Sequence, residues 1–171
     1  MLKDYVFLDL DGVILDSEQR MLVRKNEMGL TNHTDKSEFE YYFEYTKSHP
    51  EEWEYIICGA KPINNSIEVI KKLEAANSKI AILTKIHTTY EMKVKIDVLR
   101  KQLGILCPIF FVPPGIKKYQ VIIPNNQMLI DDSAKNIRGW IENGGKGLIF
   151  DTSIEENTPT RVRSLEFLLK R

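Results

Sequence analysis

In Lys3-Asp4-Tyr5-Val6-Phe7-Leu8-Asp9-Leu10-Asp11-Gly12-Val13-Ile14-Leu15-Asp16-Ser17, a short apolar run from Tyr5 to Leu8 meets two carboxylates one residue apart and then a glycine. The run is long enough for a strand that crosses a sheet and too short for a helix. Residues i and i+2 of a strand share a face, so Asp9 and Asp11 would project together if the strand continued. Gly12 instead points to a turn just past the strand, which aims both carboxylates into a crevice. Two acids so placed repel and need a shared proton or cation, and a hard divalent ion such as Mg²⁺ is the natural counter-charge. Alone, Asp-x-Asp-Gly is as well read as an acidic turn closing a strand. A second pair changes that balance: Met128-Leu129-Ile130-Asp131-Asp132-Ser133 is again a short apolar run ending in adjacent aspartates. An N-cap accounts for one of these aspartates but not easily for two, so both strand ends point to one site.

Between and beyond these strands the pattern alternates. Residues 18–29 fit a helix with Met21, Leu22 and Lys25 or Met28 on one side, closing at Gly29. Residues 35–57 form a second helical region rich in aromatics (Phe39, Tyr41, Tyr42, Phe43, Tyr45, Trp53, Tyr55), divided by Pro50. Its acids (Asp35, Glu38, Glu40, Glu44, Glu51, Glu52, Glu54) outnumber its bases (Lys36, Lys47), and no strand-like alternation occurs between 16 and 60. Asn64-Asn65-Ser66 offers N-cap side chains for a helix to about Ala76, with Ile67, Ile70 and Leu73 inward. Lys79 to Thr84 reads as a strand buried on both faces. Residues 88–103 predict a helix with Met92, Ile96, Leu99 and Leu103 inward and Gly104 as its stop. Pro108 to Val112 is a third strand before the turn Pro113-Pro114-Gly115, and Lys117 to Ile123 is ambiguous between helix and strand. Met128 to Ile130 is the fourth strand, Ser133 to Asn143 a helix, Gly147 to Phe150 a fifth strand and Thr160 to Lys170 a closing helix. Strands alternating with helices predict an α/β protein with a doubly wound parallel sheet.

A chain of 171 residues suits one main domain with a small insert. Zero formal net charge gives no global attraction to nucleic acid or to anionic membrane. No apolar run approaches the roughly 18 residues that span a bilayer. Asp4, Asp9 and Asp11 interrupt any signal-peptide core, and two cysteines without metal-type spacing, Cys58 and Cys107, predict reduced, largely buried thiols in a cytoplasmic protein.

In doubly wound sheets, ligands bind beyond the carboxyl ends of the strands where strand order reverses. With the first strand central and the Thr84 and Asp131 strands beside it, one hydroxyl and four carboxylates surround a single crevice. Taken singly, Thr84 also suits a helix cap, and Lys117 and Lys118 suit a solvated loop.

These motifs resemble the haloacid dehalogenase-type (HAD) phosphohydrolase superfamily over essentially the whole core. Asp9-Leu10-Asp11-Gly12-Val13-Ile14-Leu15-Asp16-Ser17 is similar to that family's first motif, and Ile82-Leu83-Thr84 to its second. Lys118 or Lys117 falls where the third belongs, and Leu129-Ile130-Asp131-Asp132-Ser133 with Asn136 is similar to the fourth. The resemblance implies a catalytic core of residues 1–16 and 61–171 and a small helical C1-type cap of residues 17–60. It also implies a nucleophile at Asp9, which would form an aspartyl-phosphate, and a general acid and base at Asp11. Mg²⁺ would be held by Asp9, the Asp11 carbonyl, Asp131 and Asp132. Thr84, Lys118 and backbone N–H groups near Leu10 and Lys85 would bind the phosphoryl group. Of the two lysines, Lys118 is preferred because the turn at Pro114-Gly115 needs one more residue to reach the site.

The implied substrate is a small phosphomonoester. The acidic insert disfavours a nucleic-acid polymer, and its aromatics either stack on a nucleobase or form the insert's own core. Leu129-Ile130-Asp131-Asp132 and the Gly147 to Asp151 strand are similar to the 5′-nucleotidase branch, whereas Asp16-Ser17 equally suits sugar-phosphate or phosphoglycolate phosphatases. A phosphomutase needs a larger lid than residues 18–60 make. A regulatory or binding protein on the same fold is the alternative outside catalysis.

Overall fold

The computed structural model describes residues 5–30 and 36–170. The expectations for Lys3, Asp4 and Asp35, and for the side chains of Lys36 and Phe39, lie outside the described residues. In chain order the elements are β1 (Val6–Leu8), α1 (Ser17–Glu27), α2 (Lys36–Ser48), α3 (Glu52–Cys58), α4 (Ser66–Ala75), β2 (Ile80–Lys85) and α5 (Thr89–Asp97). A π-helical turn (Val98–Gln102) extends α5, and β3 (Ile109–Val112), α6 (Lys118–Val121), β4 (Met128–Asp131), α7 (Ala134–Glu142), β5 (Lys146–Phe150) and β6 (Arg161–Val162) follow. A 3₁₀ segment, Leu165–Lys170, closes the fold. The strands form one parallel sheet in the order β3-β2-β1-β4-β5-β6. β1 is central, with β2 and β4 as its neighbours, as its burial on both faces requires.

Strand alternation divides the core. Leu8, Ile80, Ile82 and Ile130 face α4, the inner side of α5 and the residue 17–60 helices, joined by Ile70, Val94, Trp53 and Ile57. Phe7, Ala81, Leu83 and Leu129 face the other way, onto Ile122, Ile137 and Trp140. Tyr42 and Trp53 of residues 17–60 are buried in the same core as Leu8, Ile82 and Ile130.

Four expectations are corrected. The segment after Thr160 is not a helix: Arg161 and Val162 pair with Ile149 and Phe150 as a sixth strand, and the remaining turn is 3₁₀ because Leu165 and Leu168, three apart, both seat on the core. Asn64 and Asn65 do not cap α4; both take left-handed backbone conformations, and the Asn64 amide donates to the Arg163 carbonyl instead (2.7 Å). Cys58 is exposed, because Trp53, Ile56 and Ile57 supply the inner face of α3, while Cys107 is buried; both are free thiols. Finally, α5 buries Glu91, Val94, Lys95, Val98 and Leu99 rather than Met92 and Ile96. A charged pair takes the first inward positions, and the π turn brings two consecutive residues, Val98 and Leu99, inward. Among the described residues no helix is long and apolar enough to cross a membrane.

The insert helices are tied together at Glu52. Arg24 of α1 grips it with two hydrogen bonds (2.8 and 2.7 Å), and the Tyr42 hydroxyl of α2 donates a third (3.3 Å). The Arg24 bonds hold the Glu52 carboxyl below the usual glutamate range, against its burial. Glu52→Gln is therefore expected to lower stability by about 1–2 kcal/mol at neutral pH. The sign follows from linkage: a depressed native pKa stabilises above the ordinary glutamate range and ceases to as acid protonates the side chain. Urea denaturation at neutral and acid pH should show the difference between the two proteins shrinking as pH falls.

Candidate active site

β1 ends at Leu8, and the chain turns at once. The Ile14 and Leu15 N–H groups return to the Leu10 carbonyl, and Gly12 N–H donates to Leu15 O (all 2.9 Å). Gly12 has φ +72°, and a Cβ there would collide with the Asp132 carboxylate, so glycine permits both the turn and the approach of β4's end. At this turn Asp9 accepts from Leu10 N–H through Oδ1 (2.8 Å) and pairs with Lys118 Nζ through Oδ2 (2.7 Å). Lys118 also donates to Asp131 Oδ2 (2.6 Å). Asp131, fully buried, further accepts from Ser133 N–H (2.9 Å) and the Asn136 amide (3.0 and 3.1 Å). Ser133 is the N-cap of α7, which frees both aspartates from that task.

Asp11 faces differently. Its Oδ1 accepts from Ser17 Oγ (2.6 Å), and its Oδ2 accepts from Lys95 Nζ (2.6 Å) and from Thr84 Oγ1 (3.2 Å). Over these carboxylates lies a cavity of about 290 Å³. Asp9, Asp11, Asp132 and Asn136 line it together with Met21, Phe43, Trp53, Ile56 and Ile57 of residues 17–60 and with His87 and Glu91.

No protein-family model matches the chain, and comparison with curated proteins found no match. Solved structures do match over nearly the whole length. An HAD hydrolase of family IA, variant 3, from Entamoeba histolytica superposes with a TM-score of 0.66 at 14% identity, covering 96% of this chain and 94% of that one. A protein of Haemophilus somnus described as a predicted phosphoglycolate phosphatase gives 0.65 at 14% identity, covering 99% and 98%. YfnB of Bacillus subtilis, assigned to the HAD-hydrolases and solved bound to magnesium, gives 0.64 at 13% identity, covering 98% and 97%. The fold is that of the HAD-superfamily hydrolases.

On this HAD fold the sequence-derived residues are distributed as follows. Asp9, Asp131 and Asp132 come together: one oxygen of each lies within 4.8 Å of the others. The Asp11 carboxylate is outside that cluster, in its own cradle. Lys118 is buried against Asp9 and Asp131, whereas Lys117 is exposed, in extended backbone ahead of α6, with its N–H on Gln120 Oε1 (2.8 Å). The helix begins at Lys118 and turns it inward, so of the two lysines Lys118 reaches the acids. Thr84, expected to meet the phosphoryl group, is fully buried, is not among the residues lining the cavity, and gives its hydroxyl to Asp11. Lys85 lines the cavity and reaches Asn136 Oδ1 (3.2 Å).

The electrostatics of the cluster call for a cation. Burial, then the Asp131 and Asp11 charges, raise the Asp9 pKa well above the ordinary range despite Lys118. Burial, then Glu18 and Asp131, push Asp132 up to about 7. Convergent carboxylate oxygens short of positive charge are the donor set a hard divalent ion takes. Asp9, Asp131 and Asp132 thus fit Mg²⁺. Asp11 behaves oppositely: burial would raise its pKa, but Lys95, with Ser17 and Thr84, brings it below the usual value.

Sequence reasoning missed Lys95, Glu91 and His87. The available signal was the Glu91-x-x-x-Lys95 spacing on a helix whose other faces are also charged. An i, i+4 pair is common on solvated helices, so nothing local marked this one as facing inward.

Proposed function

We propose that this protein is a Mg²⁺-dependent phosphatase that hydrolyses a small phosphomonoester through an aspartyl-phosphate on Asp9. The observation that carries the reading is the Asp9 carboxylate, bonded to Lys118 and grouped with Asp131 and Asp132, at the floor of a cavity that Asp11 also lines. An Asp9 oxygen attacks phosphorus, the ester P–O bond breaks, and Asp11 gives the leaving alcohol its proton. Asp11 is ionised at rest and takes up that proton beforehand, as from a singly protonated phosphomonoester. Water then attacks the phospho-aspartate, Asp11 accepts its proton, and Asp9 and inorganic phosphate are released. Lys118 stays on Asp9 throughout and balances charge on the transferred group. Asp9, Asp131 and Asp132 would hold Mg²⁺, which supplies the charge neutralisation that lets a carboxylate approach a phosphate dianion.

The insert, acting as a cap, supports a nucleoside monophosphate over phosphoglycolate. Its share of the lining is apolar or aromatic (Met21, Phe43, Trp53, Ile56, Ile57), which suits a neutral, partly planar leaving group. A leaving group bearing a carboxylate would instead meet Glu18 and Asp132, against Lys85 as the one lysine in the described lining. The cavity volume is at the small end for ligand pockets, which favours a small ester over a polymer.

A panel of nucleoside monophosphates, sugar phosphates, phosphoglycolate and p-nitrophenyl phosphate, each with Mg²⁺ and with chelator, tests this. Expected is Mg²⁺-dependent phosphate release, abolished by chelation and faster for nucleoside monophosphates than for phosphoglycolate. Absence of turnover for every ester would overturn the enzymatic reading in favour of a binding role.

A further inference from the structure

Lys95 lies outside every motif of the sequence, yet it is among the most enclosed side chains of the protein, 1% exposed on the inner face of α5. Its ammonium carries three protons, and three short contacts account for them: Asp11 Oδ2 at 2.6 Å, the Lys85 carbonyl at 2.7 Å and Glu91 Oε1 at 2.8 Å. Thr84 Oγ1 lies at 3.2 Å as a fourth neighbour and itself bonds to Asp11. A lysine so held cannot rotate away without abandoning a hydrogen bond, and its own ammonium is out of reach of water.

Its support is also fixed. Glu91 is buried, and its second oxygen accepts from the His87 backbone N–H (2.6 Å). The Thr88 hydroxyl caps the first turn of α5 by accepting from Glu91 N–H (3.0 Å). The His87 ring lies parallel to two rings of the insert, Phe43 at 4.1 Å and Trp53 at 5.6 Å between centroids. The line from insert to Asp11 is thus continuous: aromatic contact, His87, Glu91, Lys95.

Burying an ammonium between two carboxylates is a poor way to gain stability, since desolvation consumes most of the attraction. Its effect on geometry is definite, however. Ser17 and Lys95 hold opposite oxygens of Asp11 and fix the plane of the carboxylate at the cavity edge, 28% exposed on its open side. We infer that Lys95 is a positioning residue for Asp11, held in place by Glu91, and that it sets the aim of the Asp11 carboxylate at the leaving-group oxygen. This rests on the phosphatase reading above.

The test is the dependence of the loss on the leaving group. An alkyl ester, such as a nucleoside 5′-monophosphate, needs its leaving oxygen protonated, whereas p-nitrophenolate leaves with little help. Read as single-turnover release of the leaving alcohol, before the water step that also uses Asp11, Lys95→Met is expected to slow the alkyl ester by about 10²-fold, the scale of a misaimed catalytic group, and p-nitrophenyl phosphate far less. Asp11→Asn, measured alongside in the same single turnover, should likewise lose more on the alkyl ester than on p-nitrophenyl phosphate, while also slowing steady turnover of both, because the water step needs Asp11 as base. Lys95→Met in the Asp11→Asn background should add nothing to it. Equal loss on both esters from Lys95→Met, with the split retained by Asp11→Asn, overturns the positioning role and leaves the phosphatase reading standing. No split in Asp11→Asn, or no turnover by the unaltered protein, overturns both. Where heat denaturation shows Lys95→Met unfolded at the assay temperature, Glu91→Gln is read in its place, because it removes one charge that holds Lys95. A smaller split of the same sign supports the inference, and equal loss on both esters overturns it.

Discussion

Asp9→Asn is expected to abolish phosphate release while leaving the fold and its stability close to those of the unaltered protein. The loss should be on the order of 10⁶-fold, the scale reached when a nucleophile is removed, because an amide oxygen neither attacks phosphorus nor forms a hydrolysable acyl phosphate. The fold survives because two effects oppose each other. The substitution removes one partner of Lys118 but leaves its 2.6 Å contact with Asp131. It also removes a charge that burial, Asp131 and Asp11 disfavour. Rates with p-nitrophenyl phosphate, beside a thermal melt, check both halves. Turnover within tenfold of the unaltered protein (about 1.4 kcal/mol in the barrier) would remove Asp9 from the chemistry.

Lys118→Met should damage both activity and stability. Lys118 is the ammonium that touches Asp9 and Asp131, and burial does not strip its charge because those two acids raise its pKa. Methionine of similar length leaves two enclosed carboxylates facing each other with no cation between them. Breaking a buried pair in this one-sided way costs about 3–5 kcal/mol. Losing a fixed electrostatic donor at the reacting group costs about 10²–10³-fold in turnover. Urea denaturation in chelator should show the destabilisation. Repeating it with Mg²⁺ should return part of it, because an ion that binds only the native acids stabilises them by mass action. A variant as stable as the unaltered protein in chelator would show that the acids do not depend on this lysine.

Much of this arrangement was legible in the chain. Two short apolar runs, each ending in paired aspartates, predicted two adjacent parallel strands delivering acids to one crevice, and the carboxylates of Asp9, Asp131 and Asp132 meet there. Pro50 was correctly read as the break between α2 and α3. The choice of Lys118 over Lys117 rested on counting residues through a turn, and the firmer reason is that Lys118 opens α6 with its side chain buried on Asp9 and Asp131 while Lys117 stays exposed. The inner face of α5 was misread because the stripe Met92, Ile96, Leu99, Leu103 is a good helical pattern, while the buried face carries Glu91 and Lys95. Hydrophobic periodicity marks burial only where burial is apolar. The last segment was misread because a strand of two residues, Arg161 and Val162, is too short to show a period of its own and exists only by pairing with β5.

The sequence by itself determined the alternation of strands and helices, the central place of β1 and the acids it presents, because these depend on short-range spacing along the chain. Only the tertiary structure decided that Lys95 belongs to the site. Its partner Asp11 lies 84 positions away, and a charge on a helix reads as solvent-facing until a counter-charge on another element meets it out of water. Local pattern reports which side chains seek the interior; pairing across the sheet decides which charged ones are admitted.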